Sequence, residues 1–390
     1  MAQGFRSHTI HTMVPGRSPI QDGLLLTDNR TVQDVGPYKE LKKTFSGTIH
    51  DLGEQVLVPG LVNAHTHLEL SHLQGKTVFG QGFEAWVQSL LQNDLKAVDQ
   101  KTLDRVCAEM ARSGTAGIGD ISGHVPATMF EHHRQGDLRV RLFLEQIGFQ
   151  KHPPSRLRWP SGIDPDKTDW VSPSGHALYS THPSTLQLIK SSCTHNGHFF
   201  TMHLAEHAGE MDLLTTGRGT FAGMLKGTLL PLDFVPPDMS PVAYADQLGL
   251  LDEKTLAVHC VFLNRHDMQT LQERRAMVCL CPRSNDCINV GRAPGEQLFA
   301  SGVPICLGTD SLASNTDLNL WSEAEHLIST WSAPVKLKDL LSFLTVNPAH
   351  ALGLDHVLGT LEPGKRASFT TVPPSVLEKT TSSNPAEPTP

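Results

Sequence analysis

The sequence predicts an α/β protein, a (β/α)8 TIM-like barrel carrying a small composite β-sandwich domain built from both chain ends. Three observations carry this. Apolar runs alternate with helix-period segments over roughly 290 residues, the pattern of a barrel. Short β-type pieces fill the first 55 residues and recur near the other end. An open nucleotide-binding sheet would want a Gly-rich turn after its first strand, and Asn63-Ala64-His65-Thr66-His67 stands there instead.

Taken in order, residues 7–13, 23–27, 31–35 and 48–52 are alternating or β-branched stretches broken by turns, too short to build a core alone. Matching pieces at 357–361 and 367–372 imply that the two ends meet in one domain, 1–55 with 353–374, around a barrel of 56–352. Barrel strands are expected at 60–64, 115–121, 140–147, 176–179, 199–203, 256–260, 277–281 and 304–308. Helices are expected at 83–95, 102–112, 184–193, 265–274 and 318–328. The run GTLEPGK, 359–365, has Arg366 where a phosphate loop needs Ser or Thr, and reads as a turn. From Ser375 to Pro390 the chain is polar and Pro/Ser/Thr-rich, which predicts a mobile tail.

Composition narrows the function. At 39% hydrophobic residues the 390-residue chain is globular, and a net charge of −8 gives no footprint for nucleic acid. Seven cysteines, an odd number in a long chain, fit reduced thiols better than a disulfide framework, and Cys279 and Cys281 read as core. No segment has signal-peptide or membrane-span character, so a cytoplasmic protein without a membrane partner is expected.

The chemistry is carried by residues that end successive apolar runs. His65 and His67 share a strand face, because residues i and i+2 point the same way. Twenty-one histidines make about one such pair expected by chance, so the pair gains meaning only from its downstream companions: His203 with Glu206, then His259, then Asp310. Barrel enzymes draw their chemistry from the carboxyl ends of several strands. Three neutral imidazoles and a carboxylate suit one divalent ion, zinc first, with ferrous iron or manganese also acceptable. Glu206, three residues beyond His203, is placed for proton transfer. His207 and Glu210 repeat the same spacing, but the strand is expected to stop at His203. His259 alone could be a satisfied core histidine, and Asp310 a helix cap.

The segments PGLVNAHTHLE, HLAE, VHC, CPRSN and LGTDS, in this order, resemble the amidohydrolase superfamily, in particular its aminohydrolase branch of deaminases and chlorohydrolases. The resemblance covers nearly the whole chain. It implies metal ligation by His65, His67, His203 and Asp310, a proton shuttle at Glu206, and His259 orienting the water and the group under attack. No lysine ends the fourth strand, as it does in two-metal members, and GHALYSTHP stands there with Leu178 in place of the usual Pro. Ser368 replaces a usual acid. HTHLELS, GFEAWV and FLEQIGF are most similar to the aminodeoxyfutalosine deaminases of an alternative menaquinone pathway. That likeness implies a heterocyclic small-molecule substrate and a homo-oligomer, with Glu69 and Glu145 as substrate-pocket candidates, Glu69 alternatively being a partner that supports a ligand histidine. His176 and Ser180 in the segment after the fourth strand, and Arg283 and Asn285 after the seventh, are further candidates, Asn285 alternatively stabilising a turn. A chlorohydrolase, a cyclic-amide hydrolase, and a non-catalytic binding protein of the same fold are the alternatives.

Overall fold

In the computed structural model, which describes residues 2–149, 156–157, 159–163 and 168–381, Gln3–Ile10 (β1), Ile20–Asp28 (β2) and Thr31–Pro37 (β3) form an antiparallel meander. Thr48–Asp51 (β4) and Val56–Pro59 (β5) add parallel to β1, and Phe369–Thr371 pairs antiparallel with β5. The two ends of the chain thus share one six-stranded sheet. Thr31 also bridges Arg366, so the sheet wraps around Ile10, Leu25, Val32, Val35, Leu57 and Leu361. Residues 357–361 contribute no strand: Leu361 enters this core from a loop, its N–H donating to Thr12 O at 2.9 Å.

The expected domain boundary at 55/56 is displaced. Val56–Pro59 belongs to the small sheet, and the barrel begins at Leu61. The apolar run through both strands hides the break, which falls at Gly60. A Cβ there would lie 2.6 Å from the Ala116 Cβ and 3.1 Å from the Ser368 Cβ, so only glycine lets the chain pass from one sheet to the other.

Leu61–Thr66 (β6), Thr115–Ser122 (β7), Arg139–Gln146 (β8) and Val171–Gly175 (β9) make one parallel sheet. Phe200–Leu204 (β10), Thr255–His259 (β11), Met277–Leu280 (β12) and Ile305–Leu307 (β13) make another. Their edges meet at both seams through single bridges, Ala177 to His203 and Thr66 to Asp310. Both seams therefore sit beside the candidate ligands. At the second, Gly308 is obligatory: a Cβ would come 2.9 Å from the His65 Cβ and 2.8 Å from Cys279 Sγ.

Seven barrel strands fall where apolar runs predict them, within about two residues. The fourth does not. It is Val171–Gly175, wholly buried but written Val-Ser-Pro-Ser-Gly, so hydropathy passed over it in favour of 176–179, which is the bridge and turn after it. All five expected helices form, with shifted ends; Arg265–Arg274 matches because Asn264 and Asp267 build a reciprocal capping box. The run 359–365 is a turn, as expected. The tail expected from Ser375 is instead helical over Pro374–Thr381, with Val376 and Thr380, one turn apart, both buried. Its polar composition conceals two inward-facing positions; residues 382–390 lie outside the described part. No described helix is long and apolar enough to cross a membrane.

Candidate active site

β6 is wholly buried and ends at Thr66; His67 follows it with φ −127° and ψ 79°, close enough to extended for its ring to meet that of His65 at the barrel's carboxyl end. His67 Nε2 lies 3.2 Å from His65 Nε2 and 3.3 Å from His203 Nε2. Asp310 Oδ1 lies 3.6 Å from His65 Nε2 and 3.7 Å from His67 Nε2. Four donors on a tetrahedron at zinc-ligand distances of about 2.0–2.2 Å are separated by ~3.4 Å, and these four separations are close to it: His65, His67 and His203 form a group that could hold an ion, with Asp310 beside two of them. The protonation pattern agrees. His203 Nδ1–H donates to His176 O at 3.1 Å, which leaves its Nε2 lone pair facing inward. Burial, with neighbouring imidazoles adding, holds His67 and His203 well below the ordinary imidazole value, the neutral state that ligation requires.

Asp310 is anchored from its other oxygen. Oδ2 accepts from Ser284 Oγ and Ser314 Oγ, both at 2.7 Å, and its backbone takes a left-handed φ of 57° to turn Oδ1 toward the imidazoles. Burial pushes the carboxyl up, but the His65 hydrogen bond and the facing His67 and His259 outweigh it and hold Asp310 well below the usual range.

Glu206 owes its position to a broken strand. Ala205 adopts φ 53°, so the chain swings Glu206 over the cluster instead of continuing β10. Glu206 Oε1 sits 3.4 Å from His259 Nε2, and Glu210 Oε2 accepts the Glu206 N–H at 2.9 Å. Burial first, then the charges of Asp310 and Glu210, raise Glu206 well above an ordinary carboxyl. The competing pair is thereby resolved: Glu210 supports the Glu206 backbone, while His207 stacks on Phe83 at 3.7 Å between ring centroids, outside the cluster.

Both His207 nitrogens are buried without partners, and burial lowers its pKa to about 3. Between pH 6.5 and 3 the unfolded chain binds a proton there that the folded chain refuses. Stability is therefore lost as pH falls through that window, by up to about 1.4 kcal/mol per pH unit. His207→Phe should keep turnover near the parent and flatten the acid side of a stability-versus-pH curve measured by denaturant unfolding. A steep loss of activity would return His207 to the catalytic set.

His259 Nδ1–H donates to Asn285 Oδ1 at 2.9 Å, so the neutral ring presents Nε2 as an acceptor toward Glu206. Burial lowers this imidazole to about 4. Asn285, a substrate-contact candidate by sequence, holds His259 in the structure. Asn285→Ala should lower kcat by roughly 5- to 150-fold, the worth of about 1–3 kcal/mol for a buried polar group left unpaired, with the metal content unchanged. Arg283, the other candidate after β12, is not among the residues that line the cavity over the cluster. Its guanidinium turns away from the cluster, bidentate to Asp317 at 2.7 and 2.9 Å, and its backbone N–H donates to buried Glu323. Three consecutive residues after β12 thus brace the site, Ser284 through Asp310, Asn285 through His259, and Arg283 through the loop beyond Asp310.

The cluster forms the floor of a cavity of about 630 Å3. Glu145, His176 and Ser180 line it as expected, with Glu145 Oε1 4.0 Å from His203 Nδ1 and His176 Nδ1 2.5 Å from Ser180 Oγ. Glu69 borders it too, with both carboxylate oxygens hydrogen-bonded inside the protein. The opposite wall is apolar, Phe83, Trp86, Leu90, Phe221, Met224 and Leu229. Sequence reading missed this wall, as it missed Ser284 and Ser314. Aromatic and aliphatic residues on predicted helices carry no signal of which face meets a ligand.

A parallel barrel with three imidazoles, a carboxylate and a buried acid at its carboxyl end is the arrangement of a hydrolase with a candidate metal centre. The chain matches the amidohydrolase family over residues 56–387 and belongs to it. It is 29% identical over 378 residues to a 5-methylthioadenosine/S-adenosylhomocysteine deaminase of Moorella thermoacetica, spanning 92% of this chain and 83% of that one. A 5'-deoxyadenosine deaminase of Methanothrix thermoacetophila is 28% identical over 312 residues, 77% of this chain and 68% of that one. Two solved structures share the fold. The aminofutalosine deaminase of Helicobacter pylori, in complex with methylthio-coformycin, aligns with TM-score 0.79 at 20% identity, covering 95% of this chain and 91% of that one. An adenosine deaminase from Xanthomonas campestris with bound zinc gives 0.78 at 21%, covering 97% and 86%.

Proposed function

We propose that this chain is a mononuclear metal-dependent aminohydrolase that removes the 6-amino group of an adenine-type nucleoside. The observation that carries the reading is the buried Glu206 carboxyl, 3.4 Å from the His259 acceptor at the rim of the four-donor cluster. His65, His67, His203 and Asp310 would hold the ion, zinc by the chemistry of the set. When bound, such an ion lowers the pKa of a coordinated water from about 15.7 towards about 7.

An aromatic ring carbon is a poor electrophile, so the protein must raise its reactivity while water attacks. Glu206, whose burial favours the protonated carboxyl, gives its proton to the ring nitrogen beside the amino-bearing carbon. His259, fixed by Asn285, accepts a hydrogen bond from the attacking water and sets its direction. Asp310 takes the first water proton and passes it to the departing amino group, which leaves as ammonia. The second water proton returns to Glu206 as the carbonyl forms. Water is consumed and the acid restored.

The related deaminases support a 6-aminopurine nucleoside as substrate, with aminodeoxyfutalosine, 5'-deoxyadenosine and 5-methylthioadenosine as the members to test. A chlorohydrolase reading has less support, resting only on the shared barrel. Ammonia release should be measured on zinc-loaded protein with these nucleosides, beside guanine, pterins, pyrimidines and halotriazines. Rapid release from an adenine nucleoside is expected. Chloride release from a triazine with silence on every nucleoside would reverse the assignment.

A further inference from the structure

Two buried carboxylates outside the reacting set grip the segment that carries His67. Asp120, wholly buried near the end of β7, accepts through Oδ1 from Thr66 Oγ1 at 3.0 Å and from Leu68 N–H at 2.9 Å. Its contacts therefore flank His67 on both sides. Asp120 Oδ2 is taken by His133 Nε2 at 2.7 Å, from the helix Pro126–Gln135. The second carboxylate runs the other way. Glu69, two residues beyond His67, accepts from Ser122 Oγ at 2.6 Å, from the Gly123 N–H at 2.9 Å, from the His124 N–H at 3.1 Å and from the Val125 N–H at 3.0 Å. Three successive N–H groups converge on one anion, the arrangement that backbone loops use to hold anions.

We infer that Glu69 and Asp120 form a reciprocal clamp between residues 66–69 and 120–125 that fixes the aim of His67 at the ion, and that Glu69 is a positioning residue. Saturation and direction both point to this role. An ionised carboxylate offers about four acceptor sites, and Glu69 fills them with donors of its own chain. None remains for a ribose hydroxyl or purine edge, although the side chain borders the cavity. Each clamp also crosses the same junction from opposite sides, so loosening either one frees the turn after β6. His67 stands at that turn, past the last residue of β6, where these contacts take over from the strand's ladder. The inference rests on the metal-centre reading of His65, His67, His203 and Asp310.

The test is the metal affinity of the full-length protein, by competition with a chromophoric zinc chelator, with cobalt substitution reporting ligand geometry through its visible absorption. Glu69→Gln replaces an acceptor facing N–H groups by a donor, and Asp120→Ala removes the grip on Thr66 and Leu68. Each should weaken zinc binding about 10- to 100-fold, as loss of outer hydrogen-bonding partners does. Excess zinc should restore turnover, and KM for the nucleoside should stay close to the parent's. Asp120→Asn, which retains Oδ1 as acceptor, should rescue affinity. Should the alanine variant fail to fold, Thr66→Val and Glu69→Gln carry the same test with smaller perturbation. Unchanged zinc affinity with a tenfold higher KM in Glu69→Gln would overturn the clamp and make Glu69 a substrate contact. A parent protein that binds no stoichiometric metal would overturn both the clamp and the centre beneath it, whereas deamination failing with metal affinity responding as predicted would sink only the substrate reading.

Discussion

Glu206→Gln is expected to lower turnover by about 10²–10⁴ while the protein keeps its metal and its fold. The size reflects chemistry that glutamine cannot perform. The amide matches the carboxyl in shape, so the cavity and the contact with His259 survive, but it cannot release a proton to a ring nitrogen and take one back. Metal retention is a matter of geometry: the convergent imidazole nitrogens belong to His65, His67 and His203, and Glu206 stands outside that group. The Glu206 backbone is held independently by Glu210, so the substitution leaves the turn at Ala205 in place. Ammonia release under saturating zinc, beside metal content by atomic absorption, reads both halves. Parental turnover in a metal-replete variant would remove Glu206 from the mechanism.

The histidine cluster and the carboxyls beside it were legible because a barrel presents such residues in one stereotyped way. Each ends an apolar run, and the carboxyl end of a buried strand is a single place in space. His65, His67, His203, His259 and Asp310 could therefore be gathered from across the chain without knowing any loop. What resisted reading was whatever depended on direction and not on position. Arg283 and Asn285 come after β12 as expected, yet which way a side chain points in the first turn of a helix is set by partners elsewhere, here Asp317 and His259. The fourth strand was lost because burial inside a barrel tolerates Ser and Pro when their neighbours cover them. Val56–Pro59 lies in the small sheet and not in the barrel expected from residue 56 on, because hydropathy is blind to a sharp passage at one glycine. Buried side-chain hydrogen bonds such as that of Asp120 with His133 leave no periodic trace at all.

Asp310→Asn should abolish most activity, by about 10²–10⁴, and excess zinc should not restore it. Two roles meet at this residue and the substitution separates them. Oδ1 faces the imidazoles, where the amide oxygen of asparagine can still donate a lone pair, so ion binding weakens without vanishing. Oδ2 is held by Ser284 and Ser314, whose hydroxyls can reverse to accept from an amide, so the loop after β13 stays closed. Basicity is what disappears, and with it the acceptor for the first water proton. The discriminating measurement is turnover across a zinc titration run to saturation. Recovery at high zinc would mean that Asp310 serves only to hold the ion, and the proton would then have to pass through His259, whose Nε2 is the other acceptor within reach of Glu206. A persistent deficit in metal-saturated protein, with zinc bound at one per chain, places the base at Asp310 and leaves His259 to direct the water.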